Sequence, residues 1–161
     1  MEYRVRPMSP DDIRQVQVVA RASWHTAYQG IIPTEIQDRF LNSAYSDEMM
    51  KRRLEQSFLY VAEDRGRIVG FANFSPVNED KVVELMAIYL EPEYQGRGIG
   101  SALLQEGIVH SAGAKEVYAH VERENKAGRR FYESRRFVTA AEFDDEFDGH
   151  RLKTLRMVLT L

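Results

Sequence analysis

The stretch VVELMAIYLEPEYQGRGIGS, Val82 to Ser101, joins an apolar strand through a short polar link to a glycine-rich turn and the start of a helix. Val82 to Leu90 is almost unbroken in apolar residues, which predicts a strand covered on both faces and central in its sheet. Gly96, Gly98 and Gly100 follow, and each removes a side chain that would block close approach of a ligand to the backbone. The helix they open brings unpaired N–H groups and roughly half a positive charge to the same point. The stretch therefore implies a phosphate site for an anionic cofactor.

Three readings of the glycine turn can be weighed on the residues. A tight turn into a helix needs fewer than three alternating glycines. A dinucleotide fingerprint is approached by Gly96, Gly98 and Ser101, with Glu122 at about the expected distance downstream. That motif follows its strand at once and opens the first βαβ unit, whereas here Glu91 to Gln95 intervene and earlier strands are expected. A Walker loop fails because no Gly-Lys-Ser/Thr is present.

Working outward, a short strand is expected at Tyr3 to Arg6. A helix follows from about Pro10, with Ser9 as N-cap and Ile13, Val16, Ala20 and Trp24 on its buried face. Helical patterns run from Thr34 to Leu41 and from Asp47 to Gln56, the latter capped by Ser46. Phe58 to Glu63 and Arg67 to Ser75 flank Arg65-Gly66 as a hairpin. After the Val82 strand come a helix near Gly98 to Ala112, a strand at Glu116 to Val121 and a helix at Lys126 to Arg135. Two strands, Phe137 to Phe143 and Arg151 to Leu159, then bracket the turn Asp148-Gly149. The order β, helices, β, β, β, α, β, α, β, β predicts an α/β fold with a mixed sheet rather than an alternating βα wheel.

The 161 residues are most simply one domain, residues 1–161, and no second core is expected. Hydrophobic content of 43% and charged content of 29% are those of a soluble globular protein, and a net charge of −3 argues against a general nucleic-acid binder. The absence of cysteine excludes disulfides, thiol nucleophiles and thiolate metal sites. No apolar run approaches the roughly 20 residues of a membrane span, and MEYRVRPMSP lacks a signal pattern, so a cytoplasmic location without membrane partners is expected. His25 has no companion at metal-ligand spacing and the other histidines are scattered, so no metal is expected.

Gln95-Gly96-Arg97-Gly98-Ile99-Gly100 resembles the Q/R-x-x-G-x-G/A signature with which Gcn5-related N-acetyltransferases (GNATs) grip the pyrophosphate of acetyl-coenzyme A. Asn125-Lys126-Ala127-Gly128-Arg129-Arg130-Phe131-Tyr132 is similar to the same family's N-x-x-A-x-x-F-Y segment. The resemblance is strongest from Val82 to Phe137, and the element order extends it over nearly the whole chain. It implies a mostly antiparallel mixed sheet of about seven strands, with splayed central strands and flanking helices. It also implies direct acetyl transfer from acetyl-coenzyme A to a primary amine. Arg136 departs from the pattern, because the family commonly places glycine after this helix; an arginine held in the same left-handed geometry costs about 1 kcal/mol.

The resemblance assigns roles residue by residue. Tyr132 is the expected general acid for the departing thiolate, against the alternative of a core tyrosine beside Phe131. Glu84 is the candidate base, since an alkylamine is almost fully protonated at neutral pH; a solvent-facing strand carboxylate is the alternative. The main chain near Ile88 is expected to meet the thioester oxygen, with Leu90 the last backbone contact before the turn. Gln95, Gly96, Arg97, Gly98, Ile99, Gly100 and Ser101 form the expected pyrophosphate cradle. Asn125 is expected to cap its helix and to contact pantetheine, with capping alone the alternative, and Arg97, Arg129 and Arg130 can reach coenzyme phosphates or remain solvated.

The acceptor is expected in the first third of the chain, where Trp24 and Tyr28 can form an aromatic wall or belong to the core. Glu142, Asp144, Asp145, Glu146 and Asp148 form an acidic run, read either as a solvated loop or as a collar attracting a cationic acceptor. A small-molecule amine such as a polyamine is the expected substrate, and relatives are often homodimers. Transfer to protein lysines or N-termini, and acyl-coenzyme A binding without turnover, are the alternatives.

Overall fold

The computed structural model describes residues 2–147 and 149–161. Asp148, half of the anticipated final turn and one of the acidic run, lies outside the described residues. The elements in chain order are β1 (Tyr3–Pro7), α1 (Ile13–Ala27), α2 (Thr34–Ala44), α3 (Asp47–Gln56), β2 (Phe58–Asp64), β3 (Arg67–Phe74), β4 (Val82–Leu90), α4 (Ile99–Val109), β5 (Glu116–Glu122), α5 (Lys126–Ser134), β6 (Val138–Phe147) and β7 (His150–Thr160). The seven strands form one sheet in the order β1-β2-β3-β4-β5-β7-β6, in which only β4 and β5 run parallel. The mixed, mostly antiparallel sheet expected from the sequence is the one observed.

Each face of the sheet carries its own core. Ile99, Leu103 and Leu104 of α4 and Tyr132 of α5 pack with Val69, Val83, Leu85, Val117, Ala119 and Met157 on one side. Val16, Val19, Ala20 and Trp24 of α1 pack with Val61, Ile68, Phe71 and Ala87 on the other. Alternation along a strand assigns side chains to faces, so one inserted residue reverses the assignment. This happens in β4, where Asn73 pairs with Ala87 but Phe74 pairs with Leu85, leaving Met86 as the extra residue. Leu85 therefore joins the α4 core and Ala87, two positions on, joins the α1 core.

The β4–β5 ladder is short, covering only Val82–Glu116, Val83–Val117 and Glu84–Tyr118. Beyond it the strands diverge, and a cleft opens between them. Glu91 donates its N–H to Val69 O at 2.8 Å, so by two-residue alternation Tyr89 and Ala87 also turn their backbone groups toward β3. Ile88 and Leu90 then turn theirs into the cleft, where β5 no longer supplies partners.

Helix ends follow the chemistry of their residues. The Asp12 carboxylate accepts the Ser9 N–H at 2.9 Å, and Arg6 of β1 holds it by two further bonds of 2.8 and 3.0 Å. Pro10–Asp12 forms a 3-10 turn ahead of α1, so the α-helix begins three residues later than expected. The Ser46 hydroxyl caps α3 by accepting the Met49 N–H at 3.2 Å. β6 and β7 are longer than expected: Glu142, Asp144, Asp145 and Glu146 lie within β6 rather than in a loop, because pairing with β7 continues to Phe147–His150.

Candidate active site

A cavity of about 420 Å³ occupies the cleft between β4 and β5. Its walls are the β4 segment Leu85 to Leu90, His120 and Val121 of β5, the turn residues Gln95, Gly96, Gly98 and Gly100, and α5 from Asn125 to Arg135. Ser23, Ala27 and Tyr28 of α1 close the opposite end. One end is thus built of backbone and glycine, the other of aromatic and polar side chains.

The glycines are not equivalent. Gly96 and Gly98 have φ of +77° and +86°, conformations that L side chains rarely adopt, and both face open space. A Cβ on Gly100 would instead lie 2.6 Å from the Phe131 ring, so this glycine lets α5 pack against the first turn of α4. Gly98 is the N-cap, and Ala102 N–H to Gly98 O is the first bond that closes onto it. The N–H groups of Ile99, Gly100 and Ser101 precede that bond and have no intrahelical partner. An open cradle of this kind, at the positive end of an eleven-residue helix, suits the diphosphate of a coenzyme.

Arg135 also lines this end, though the sequence reading did not single it out. Its guanidinium lies 3.8 Å over the Phe131 ring and donates from Nε to Ser101 Oγ at 2.9 Å and from Nη1 to Phe131 O at 2.9 Å. Burial pulls its pKa down. Its place one turn after Phe131 on α5 is the signal that could have revealed it.

Asn125 caps α5 by accepting the Gly128 N–H at 3.0 Å and also lines the cavity. Tyr132 is 7% exposed, with its ring between Phe131 and Phe137, and burial followed by the charge of Glu122 pushes its phenol pKa up. The C-terminus of α5 keeps the left-handed geometry despite Arg136, whose φ is +70°. Phe137 N–H bonds to Tyr132 O and Arg136 N–H to Glu133 O, a Schellman arrangement completed by the Phe137–Tyr132 ring contact.

Of the residues expected from the sequence, the cavity gathers Tyr132, Ile88, Leu90, Gln95, Gly96, Gly98, Gly100, Asn125 and Tyr28. Glu84 is not among its walls: it sits where β4 and β5 still pair, before the inserted Met86, and accepts the Tyr118 hydroxyl at 3.1 Å. Ile99 is fully buried beneath the turn, and the Ser101 hydroxyl is engaged by Arg135. Arg97 lies over the Tyr94 ring, and Arg129 donates to Arg123 O. Neither these two arginines nor Arg130 contributes to the cavity wall. Trp24 is 3% exposed and stacks on Phe40 with centroids 4.7 Å apart, so it supports Tyr28 from within the core. His25 Nε2 lies 2.9 Å from Asp38 of α2.

The acidic run divides by strand alternation. Glu142 and Asp144 pair with Arg123 and Lys153. Phe143, Asp145 and Phe147 take the other face, where Phe143 meets His120, Phe147 meets Trp24, and the Asp145 charge acts on Glu122. Glu122 itself is 8% exposed and accepts the Tyr28 hydroxyl at 2.6 Å. Burial pushes its pKa up, opposed by that hydrogen bond.

Comparison with known proteins agrees with this geometry. Residues 22–137 match the model of the acetyltransferase (GNAT) family. The chain is 31% identical over 154 residues to the Bacillus subtilis N-acetyltransferase YuaI, covering 92% of this chain and 88% of that one. It is 30% identical over 141 residues to a spermidine N(1)-acetyltransferase of Thermoplasma acidophilum, covering 82% and 86%. The crystal structure of a PaiA N-acetyltransferase from the same organism, in complex with coenzyme A, superposes with a TM-score of 0.86 at 26% identity over the full length of both chains. No helix among the described residues is long and apolar enough to cross a membrane. The family match over residues 22–137 and the likeness to these relatives fit the splayed β4–β5 cleft, the glycine cradle at the α4 N-terminus and the tyrosine of α5: the chain belongs to the GNAT family and is an N-acetyltransferase that uses acetyl-coenzyme A.

Proposed function

We propose that this enzyme acetylates a primary amine of a small cationic molecule, with polyamines such as spermidine as the leading acceptor class. The observation that carries this reading is the acceptor end of the cavity, where Tyr28 stands in front of the buried Glu122 and Asp145 adds negative charge from β6. Such a surface attracts a cation and holds its methylene chain against aromatic faces. The similarity to a spermidine N(1)-acetyltransferase over 82% of the chain supports the same class.

Acetyl-coenzyme A supplies an activated acetyl group as its thioester. On this reading the amides of Gly96 to Ser101 hold its diphosphate, and Arg135 adds a cation beside them. The outward backbone groups of Ile88 and Leu90 continue β4 along the pantetheine arm and give the acetyl oxygen an N–H donor. Asn125 fixes the start of α5, the helix that brings Tyr132 to the cavity wall, and the Tyr132 hydroxyl can give its proton to the departing sulfur. A phenol whose pKa is raised by burial keeps that proton until the thiolate forms.

The test is acetyl-coenzyme A-dependent thiol release over polyamines, amino acids, aminoglycosides and lysine peptides. Turnover selective for polyamines is the expected result; selective turnover of lysine peptides would replace this reading with a protein acceptor.

A further inference from the structure

The Tyr28–Glu122 pair is polar where the fold has no need of polarity. Tyr28 ends α1 and Glu122 ends β5, 94 positions later, and both are nearly inaccessible, at 4% and 8% exposure. An apolar pair of similar volume would fill the space without desolvating a carboxylate. Among the described residues no lysine or arginine pairs with Glu122. The groups that face it are Tyr28 of α1, Tyr89 of β4, Tyr132 of α5 and Asp145 of β6, with His120 two residues earlier on the same strand face. Among the described residues, only Tyr28 joins this carboxylate by a hydrogen bond to the cavity that Tyr132 and the β4 backbone also line.

We propose that Glu122, acting through the Tyr28 hydroxyl, receives the proton that the acceptor's ammonium must lose before transfer. One N–H proton passes to the Tyr28 oxygen as the Tyr28 proton passes to a Glu122 oxygen, leaving a neutral amine, an intact phenol and a carboxylic acid. The nitrogen lone pair then forms the bond to the acetyl carbon as the carbon–sulfur bond breaks. The nitrogen's second proton balances the one that Tyr132 gives to sulfur, and Glu122 returns its proton to solvent. Burial and the Asp145 charge both favour the protonated carboxyl, which makes Glu122 a stronger base than an exposed glutamate. Tyr28, with its phenol pKa raised, relays without ionising. Glu122 is thus a positioning residue and proton sink, a role expected of Glu84 from the sequence.

This inference rests on an amine acceptor bound at the Tyr28 end, and the experiment separates the two. Glu122→Gln and Tyr28→Phe are compared with the unaltered enzyme using spermidine and ethylamine, which are protonated at neutral pH, and hydroxylamine, which is not. Both variants should lose roughly 100-fold or more in kcat with the alkylamines at saturating acceptor, lose far less with hydroxylamine, and bind coenzyme A unchanged. Glu122→Asp should restore part of the alkylamine rate and its pH profile. Equal losses with all three nucleophiles, or an unchanged alkylamine pH profile, overturn the relay. Activity on ethylamine without activity on spermidine removes the polyamine reading and still decides the role of Glu122.

Discussion

The two ends of the cavity are made in opposite ways. At the coenzyme end, the parts are neighbours in sequence: Gly96, Gly98 and the first turn of α4 form one continuous cradle, and Asn125 and Tyr132 share one helix. Their chemistry is largely that of the backbone. At the acceptor end, the parts come from distant segments and act through side chains. Tyr28 meets Glu122 across 94 residues. The contrast teaches that a site built from main-chain amides can be written as a short motif, whereas one built from side chains has to be assembled by the fold.

The largest expected effect falls at the junction of the two ends. Tyr132→Phe keeps the ring between Phe131 and Phe137 but removes the transferable proton. Its kcat should drop by about 100-fold to 10,000-fold with coenzyme affinity unchanged, as steady-state kinetics and calorimetry will show. An undiminished kcat would break the division of labour and return Tyr132 to the core.

Next comes the anchor of the acceptor half. Asp12 ties α1 to Arg6 of β1, so Asp12→Ala should lower stability by about 3 kcal/mol in urea unfolding at pH 7. Arg6 holds the Asp12 carboxyl below the usual carboxylate range, against the opposing effect of burial. The contribution is therefore complete above the ordinary aspartate pKa and fades as pH falls through the lowered folded value. The difference between Asp12→Ala and the parent should shrink accordingly in acid; a gap independent of pH would mean that charge plays no part.

A smaller effect of opposite sign is expected at the coenzyme half. Arg136→Gly relieves a positive φ and should stabilise the protein by about 1 kcal/mol, which a thermal melt should register as about 2–4 °C. The smallest effect sharpens the acceptor end. Asp145→Asn should raise the acceptor KM by about two- to five-fold without moving that of acetyl-coenzyme A. Glu142→Gln, whose carboxylate is already tied to Arg123, should leave both unchanged. Equal responses would make the acidic strand a diffuse collar rather than a two-faced one.

Much of the fold was legible because local chemistry agreed with tertiary placement. Val82 to Leu90 reads as a central strand from its apolar run, and Ser46, Asn125 and Gly98 mark helix starts from their side chains or lack of them. The far end of β6 was not legible as strand, since no local preference favours extension of Asp144 to Glu146. Its partner β7 supplies that instead. Arg136 shows tertiary and helix-end geometry overriding the residue preference that its sequence position suggested.

By itself, then, the sequence determined the order of elements, the glycine cradle and the tyrosine helix, because each depends on residues a few positions apart. Only the tertiary structure decided which carboxylate is hydrogen-bonded to a wall of the cavity. Met86 is inserted into β4 two residues after Glu84, and the β4–β5 ladder ends at Glu84–Tyr118, so Glu84 remains with Tyr118 while the diverging end of β5 brings Glu122 to Tyr28. A one-residue shift in strand register reverses the face of every side chain beyond it, and no short-range pattern in the chain records that reversal.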